Sequence, residues 1–163
     1  MIVIALGANI PSQVGAPRET LLSALDALTA SDMRIAAVSP YYATKAWPEP
    51  SDPAFVNAIA LVETELSPRE LMARLHEVET SFGRKRSTKN APRPLDLDLI
   101  DYHGRVEKGP PVLPHPRMRS RAFVLVPLAD VAPGWRHPIS GETVEQLLAA
   151  LNGGSGDVKR LDP

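Results

Sequence analysis

The chain has 163 residues, of which 44% are hydrophobic and 23% are charged, and its formal net charge is −1. These values predict one globular domain, residues 1–163, and give no support for general binding to nucleic acid or to an anionic membrane. The sequence has no cysteine, which excludes disulfides and thiolate metal sites and fits a reducing compartment, so we expect a cytoplasmic protein. No apolar segment approaches the roughly 20 residues of a membrane helix.

The hydrophobic pattern predicts, in chain order, a strand, a helix, two strands, a helix and a strand. The strands are expected at residues 1–6, 34–44, 55–65 and 95–102. One helix follows Pro17, and the other follows a capping box at Ser67. This order is that of the ferredoxin-like βαββαβ core, an α+β fold with helices packed on an antiparallel sheet. C-terminal helical additions are expected at about 118–126 and 143–151, followed by a frayed tail at 152–163.

Two carboxylates on the last core strand form the clearest candidate site. Asp96 and Asp98 are two residues apart, so in a strand they point to the same face, with Cα atoms roughly 6–7 Å apart. Two adjacent carboxylates need a cation or a proton between them, and Mg²⁺ takes carboxylates together with phosphate oxygens. A solvated acidic face on an edge strand is the alternative that this segment leaves open.

Basic residues flank the carboxylates on both sides in the sequence. The loop before the strand contains Arg84, Lys85, Arg86, Lys89 and Arg93, and two prolines hold Arg93 beside the strand. Further on, His115 lies between two prolines and is followed by arginines that include Arg121. Arginine and histidine donate hydrogen bonds to phosphate oxygens, so the pattern favours a polyphosphate ligand, although each residue alone could be solvated surface. The sequence contains no P-loop motif.

A flat ring could bind beside these charged groups. Aromatic residues make up 5% of the chain; Trp47 and Phe55 lie near the polar residues Thr44 and Asn57, and Phe123 follows Arg121. This combination suits a heterocycle that is stacked on its faces and hydrogen-bonded at its edge, with core packing of each ring as the alternative. Glu79 lies at the edge of the apolar stripe of its helix, a position typical of an exposed glutamate unless it has a function.

Together these motifs resemble the 6-hydroxymethyl-7,8-dihydropterin pyrophosphokinases of folate biosynthesis. The resemblance spans residues 1–133 and rests on LGAN at 6–9, SPYYAT at 39–44, FVN at 55–57, GR at 83–84, APRPLDLD at 91–98, LPHPR at 113–117 and RAF at 121–123. It implies transfer of a pyrophosphoryl group from ATP to the pterin hydroxymethyl group, with release of AMP. Two Mg²⁺ ions on Asp96 and Asp98 are implied as cofactors, and ATP as co-substrate.

The resemblance also implies roles for individual residues. The implied catalytic residues are Arg84, Arg93, Asp96 and Asp98. The implied ATP-binding residues are Glu79, Arg84, Arg86, Arg93, Leu99, His115 and Arg121. The implied pterin-binding residues are Gly7, Thr44, Trp47, Phe55, Asn57 and Phe123.

The chain departs from the family pattern in two loops. Asn90 stands where some members have a tryptophan, and Lys45-Ala46-Trp47 replaces a turn that usually contains proline. Three alternatives stay open: a metal-dependent phosphohydrolase that uses the same aspartates, an RNA-binding module, and a non-catalytic nucleotide- or pterin-binding relative. We expect a monomer whose partners are small molecules, with neither nucleic acid nor a membrane among them.

Overall fold

A computed structural model of the chain describes residues 1–85, 91–151 and 157–162. Its centre is an antiparallel sheet in which β1 (Ile2–Ala8) lies between β4 (Phe55–Glu63) and β5 (Asp96–Tyr102). Two shorter strands, β2 (Arg34–Val38) and β3 (Tyr42–Thr44), also pair with β4. With α1 (Pro17–Thr29) and α2 (Pro68–Ser81), these strands confirm the predicted ferredoxin-like α+β fold.

Each face of the sheet is covered by a pair of helices. On one face, α1 and α2 pack Leu21, Leu28, Leu71 and Leu75 against Ile4 and Leu97. On the other face, α3 (Ala122–Val131) and α4 (Val144–Ala149) pack against Val3, Ile59 and Ile100. Because side chains alternate along a strand, Asp96 and Asp98 share the α3 face with Ile100. Within the described ranges, no helix is both long and apolar enough to cross a membrane.

The region predicted as one strand at 34–44 is divided into β2 and β3. Pro40 has no amide hydrogen to donate to the sheet, so the ladder is interrupted there. Ser39 fills the break: its amide donates to the Ile59 carbonyl at 2.9 Å, and its hydroxyl accepts from the Ile59 amide at 2.9 Å. Other boundaries differ by a few residues: β4 ends at Glu63, and a 3₁₀ turn at Met118–Ser120 precedes α3.

Part of the tail that was predicted to be frayed is ordered. The last element of the chain is β8 (Lys159–Arg160), which lies in this tail and pairs with β3. A separate two-stranded ribbon, formed by β6 (Glu107–Lys108) and β7 (Val112–Leu113), precedes α3. The outer edge of β3 presents backbone donors and acceptors that another strand can satisfy. The sheet therefore gains a strand that lies far from β3 in sequence.

A buried histidine should make the stability of the α4 side depend on pH. The Nδ1 atom of His137 accepts a hydrogen bond from the Ser140 amide at 3.2 Å, and burial, with nearby Arg119, lowers the pKa of His137 below its ordinary 6.5. The unfolded chain therefore binds the proton more readily, and the free energy of unfolding should fall as pH drops below about 6.5, by at most about 1.4 kcal/mol per pH unit. Between pH 7.5 and pH 5.0, urea unfolding should show a smaller loss of unfolding free energy for His137→Asn than for the parent protein. An equal loss in the two proteins would contradict this.

Candidate active site

A cavity of about 560 Å³ opens between the start of β5, the end of β3 and the start of α3. It brings together many of the residues singled out in the sequence: Gly7, Thr44, Trp47, Phe55, Asn57, Arg93, Asp96, Asp98, Arg121 and Phe123. These residues come from five separate stretches of the chain. The fold therefore gathers the carboxylates, arginines and aromatic rings into one cavity.

Two arginines hold Asp96. The Arg93 Nη2 donates to Asp96 Oδ2 at 2.8 Å, and Arg84 donates to both Asp96 and Glu79. Burial acts to lower the pKa of Arg84, but the two carboxylates outweigh it and raise the pKa, so this guanidinium stays charged. The Nε of Arg93 is buried and has no hydrogen-bond partner in the described part of the chain. Arg93 thus keeps unused donor capacity beside the cavity.

Asp98 has two nitrogen-bearing neighbours of its own. The Arg121 Nη1 donates to Asp98 Oδ2 at 3.2 Å, and His115 Nε2 lies 3.9 Å from the same oxygen. Burial lowers the pKa of His115 despite Asp98, so the ring is neutral at pH 7. Its Nδ1 accepts from the Arg117 amide at 3.2 Å, which places the ring proton on Nε2. His115 therefore presents an N–H donor at the edge of the charged cluster.

The donor set on β5 fits a hard divalent cation. Asp96 and Asp98 line the cavity from one face of the strand. Among the described residues, no group of three or more acidic, histidine or cysteine side chains could hold a metal unaided. Mg²⁺ commonly binds through one or two carboxylates and takes its other ligands from substrate phosphates and water. Two aspartates facing a phosphate-binding cluster are consistent with that mode.

The ring-binding part of the cavity adjoins the charged part. The Arg93 guanidinium lies 5.4 Å from the centre of the Phe55 ring, and that of Arg121 lies 5.4 Å from the centre of Phe123. In the same cavity, the Asn57 side-chain amide donates to the Thr44 hydroxyl at 2.9 Å. This bond uses one amide hydrogen of Asn57, so among the described residues its Oδ1 and its second amide hydrogen remain for a flat ligand.

Gly7 and Trp47 both line the cavity, one beside the ring-binding groups and the other largely exposed. A Cβ on Gly7 would lie 3.2 Å from Asn57 Oδ1, which is a tight contact, and 3.7 Å from the Phe55 ring, which is an ordinary one, so a larger residue would crowd Asn57 first. Trp47 lines the cavity but is 74% exposed, which places it at the mouth. Gly7 thus gives the ring-binding groups room, and Trp47 is available to cover a ligand.

Among the described residues, four of the predicted site residues do not line the cavity: Glu79, Arg84, Leu99 and His115. Leu99 is buried in the core on the α1 and α2 face, away from the cavity. Arg86 lies outside the described residues, as does Asn90. Sequence reasoning missed Asn9, whose Oδ1 accepts from the Arg93 amide at 2.8 Å and whose side-chain amide donates to the Pro53 carbonyl at 3.1 Å. Asn9 is the last residue of the LGAN motif, and its place in that motif was the sequence signal that could have identified it as a site residue.

Glu79 is buried, at 1% exposure, rather than exposed as its position on the helix suggested. Its Oε1 accepts from the Leu97 amide on β5 at 2.8 Å, and it also pairs with Arg84. The side chain thus fastens α2 to the strand that carries both aspartates. The sequence carried one signal for the burial of Glu79: Arg84 follows five residues later and can supply the cation that a buried carboxylate needs.

Removal of the Glu79 carboxylate should destabilise this junction. Glu79→Leu leaves the Leu97 amide without an acceptor, and a buried unpaired donor costs roughly 1–3 kcal/mol of unfolding free energy. Glu79→Gln retains an oxygen that can accept from that amide, so its loss should be smaller. Denaturant unfolding of both variants measures the difference. Equal stability of Glu79→Leu and the parent protein would show that this hydrogen bond does not hold β5.

Paired carboxylates faced by arginines, next to a ring pocket with a polar edge, define an enzyme site for a phosphate-rich substrate and a flat heterocycle. A family model described as 7,8-dihydro-6-hydroxymethylpterin-pyrophosphokinase (HPPK) matches residues 3–133. The chain belongs to this pyrophosphokinase family. It is accordingly an ATP-dependent diphosphotransferase.

Individual relatives agree with this family. Over 152 residues the chain is 40% identical to the 2-amino-4-hydroxy-6-hydroxymethyldihydropteridine pyrophosphokinase of Synechocystis sp., covering 92% of this chain and 75% of that protein. The protein of that name in Pseudomonas aeruginosa is 39% identical over 151 residues, covering 91% of this chain and 90% of the relative.

A solved structure shows the same fold. A Plasmodium falciparum HPPK-DHPS triple mutant with pteroate superimposes with a TM-score of 0.68 at 12% identity, covering 98% of this chain. The chain spans 46% of the length of that structure, so it corresponds to part of that protein. At this identity, the likeness supports the fold alone.

Proposed function

We propose that the protein transfers the β,γ-pyrophosphoryl group of ATP to the hydroxyl of 6-hydroxymethyl-7,8-dihydropterin in folate biosynthesis. The alcohol oxygen bonds to the β-phosphorus, the bond from that phosphorus to the α–β bridging oxygen breaks, AMP leaves, and the hydroxyl proton passes to solvent. One observation carries the proposal beyond family membership. The carboxylates Asp96 and Asp98 line the same cavity as the aromatic rings of Phe55 and Phe123, which supports a site shared by ATP and the pterin.

The arginines act on the phosphates. Phosphoryl transfer needs alignment of the reacting oxygens and neutralisation of charge on the phosphate oxygens. Arg84 and Arg93 contact Asp96, and Arg121 contacts Asp98, so the guanidinium groups are already oriented toward one anionic locus. Incoming phosphates compete with the carboxylates for these donors. Arg93 lines the cavity beside Asp96, so its guanidinium can neutralise charge that develops on the transferring group.

Displaced from the arginines in this way, the aspartates would be free to hold cations. Asp96 and Asp98 would hold two Mg²⁺ ions, which when bound supply charge neutralisation at the phosphates and lower the pKa of the pterin hydroxyl. His115 offers its Nε2–H to a phosphate oxygen near Asp98. In this assignment each aspartate would bind a cation, and each arginine, like His115, would bind a phosphate oxygen.

The apolar part of the cavity orients the acceptor. Phe55 and Phe123 stack on the two faces of the pterin, and Thr44 and Asn57 hydrogen-bond its edge. The hydroxymethyl group then points toward the aspartates. Each of these substrates is a small molecule, and we propose that one chain supplies the whole site.

One incubation separates this function from its alternatives. The protein is mixed with ATP, Mg²⁺ and the reduced pterin, and products are resolved by ³¹P NMR and chromatography. We expect AMP and pterin diphosphate in equal amounts, formed only when the pterin is present. Release of inorganic phosphate without acceptor would indicate a phosphohydrolase. Pterin binding without any product would indicate a non-catalytic relative, and either result would overturn the proposal.

A further inference from the structure

The segment that leads into β8 forms one wall of the cavity. Asp157 and Val158 both line it, next to the residues that follow β3. The family match ends at residue 133, so this wall lies outside the matched residues. We propose that Val158 is a specificity-determining residue of the ring pocket, held in place by the pairing of β8 with β3. The proposal rests on the function proposed above.

The register of the two strands places Val158. Ala43 is opposite Lys159, and Tyr42 is opposite Arg160, in an antiparallel pair. One step further along both chains sets Val158 opposite Thr44. Opposite residues in such a pair project to the same face, with Cβ atoms about 4.5–5.5 Å apart. Thr44 and Val158 accordingly both line the cavity, whereas Ala43 and Lys159 are not among its lining residues.

This placement gives Val158 a role in recognition. Thr44 accepts the hydrogen bond from Asn57, and these two groups are the polar edge of the ring pocket. An apolar side chain beside them limits access of water to that edge, and hydrogen bonds to a ligand are stronger where water is excluded. Val158 also sets the space available at this end of a bicyclic heterocycle. It should therefore favour a flat ring with a narrow polar edge.

Contacts along the tail fix the wall. The Leu161 amide donates to the Tyr41 carbonyl at 2.8 Å, and Arg18 Nη1 donates to the Asp162 carbonyl at 2.9 Å. The strand to which the tail docks is itself anchored, because the Tyr42 hydroxyl donates to Asp130 on α3. Burial and this hydrogen bond raise the pKa of Tyr42 to about 12, so the hydroxyl remains a donor at neutral pH. The wall is thus tied to both α1 and α3.

Substitutions at three neighbouring positions test the proposal. Val158→Asp should raise both the pterin Kd, measured by calorimetry without ATP, and the pterin KM by about tenfold or more. The ATP KM and kcat should stay within about threefold, because the lost interaction is made equally in ground and transition states. Leu161→Pro, which removes the docking amide hydrogen, should change the same constants in the same direction. Lys159→Ala is the control and should leave all of them unchanged.

A milder substitution at the same position separates a loss of pterin binding from a loss of folding. Val158→Ala removes two methyl groups and should raise the pterin Kd by about threefold to tenfold with an unchanged melting curve. Parent-like pterin binding in both Val158 variants would overturn the inference while leaving the pyrophosphokinase assignment intact. If the parent protein instead binds the pterin but forms no AMP, the proposed function fails, and the Kd comparison still decides the role of Val158.

Discussion

Asp98→Asn should lower kcat for pterin-dependent AMP formation by about 10³-fold or more. The substitution preserves the shape of the side chain but removes the charge that makes it a cation ligand and the counter-ion of Arg121. Because the Asp98 side chain is 32% exposed, its ion pair contributes little to folding, and stability should change by less than about 1 kcal/mol. Asp96→Asn should show a comparable loss of kcat. Steady-state assays at saturating ATP, Mg²⁺ and pterin measure the effect.

The matched control is Asp26→Asn, a carboxylate on the exposed side of α1. Its kcat should equal that of the parent protein. Titration with Mg²⁺ adds a second measurement, since the parent should show saturable activation and the Asp98→Asn variant should need far more metal. A rate within about tenfold of the parent for both aspartate variants would show that these carboxylates are not the metal ligands.

Arg93→Ala should lower kcat by roughly 10³–10⁵-fold, the range seen when one positioned arginine is lost from phosphoryl transfer. Its guanidinium donates to Asp96, carries a buried free Nε–H and lies over the Phe55 ring. Loss of the ring contact should raise the pterin KM by only about threefold to tenfold. Arg93→Lys keeps the charge but not the planar fork, so its kcat should fall between those of Arg93→Ala and the parent.

Arg69→Ala, on the exposed surface of α2, is the control for general loss of positive charge. It should leave kcat and both KM values unchanged. Comparison of kcat with the pterin KM in the Arg93 variants then identifies its role. A large rise in pterin KM with a nearly unchanged kcat would make Arg93 a simple anchor for the ring.

Local patterns in the sequence were enough to predict the core. The βαββαβ order follows from period-two strands, from helices with one apolar stripe, and from the capping box at Ser67, which the structure contains. The shared face of Asp96 and Asp98 follows from their spacing. The strand predicted at 34–44 is interrupted at Pro40, and the break is bridged by Ser39 reaching Ile59, a contact 20 residues away. Such a contact has no local signature.

The remaining features depend on long-range packing. Glu79 is buried because α2 lies on β5 and because Arg84 supplies a counter-charge, and neither follows from the position of Glu79 on its own helix. The strand β8 consists of Lys159 and Arg160, which carry no hydrophobic pattern, and it forms because β3 offers an edge. Val158 was missed for the same reason. Its place in the cavity is set by that pairing.

The central claim is that the Asp96 and Asp98 face of β5 is where cation-bound ATP meets the pterin hydroxyl. A crystal structure with a nonhydrolysable ATP analogue, Mg²⁺ and the pterin tests it most directly. We expect both carboxylates on metal ions, the phosphates against Arg84 and Arg93, and the pterin between Phe55 and Phe123. Nucleotide bound away from β5, with both aspartates still paired to arginines and free of metal, would contradict the claim.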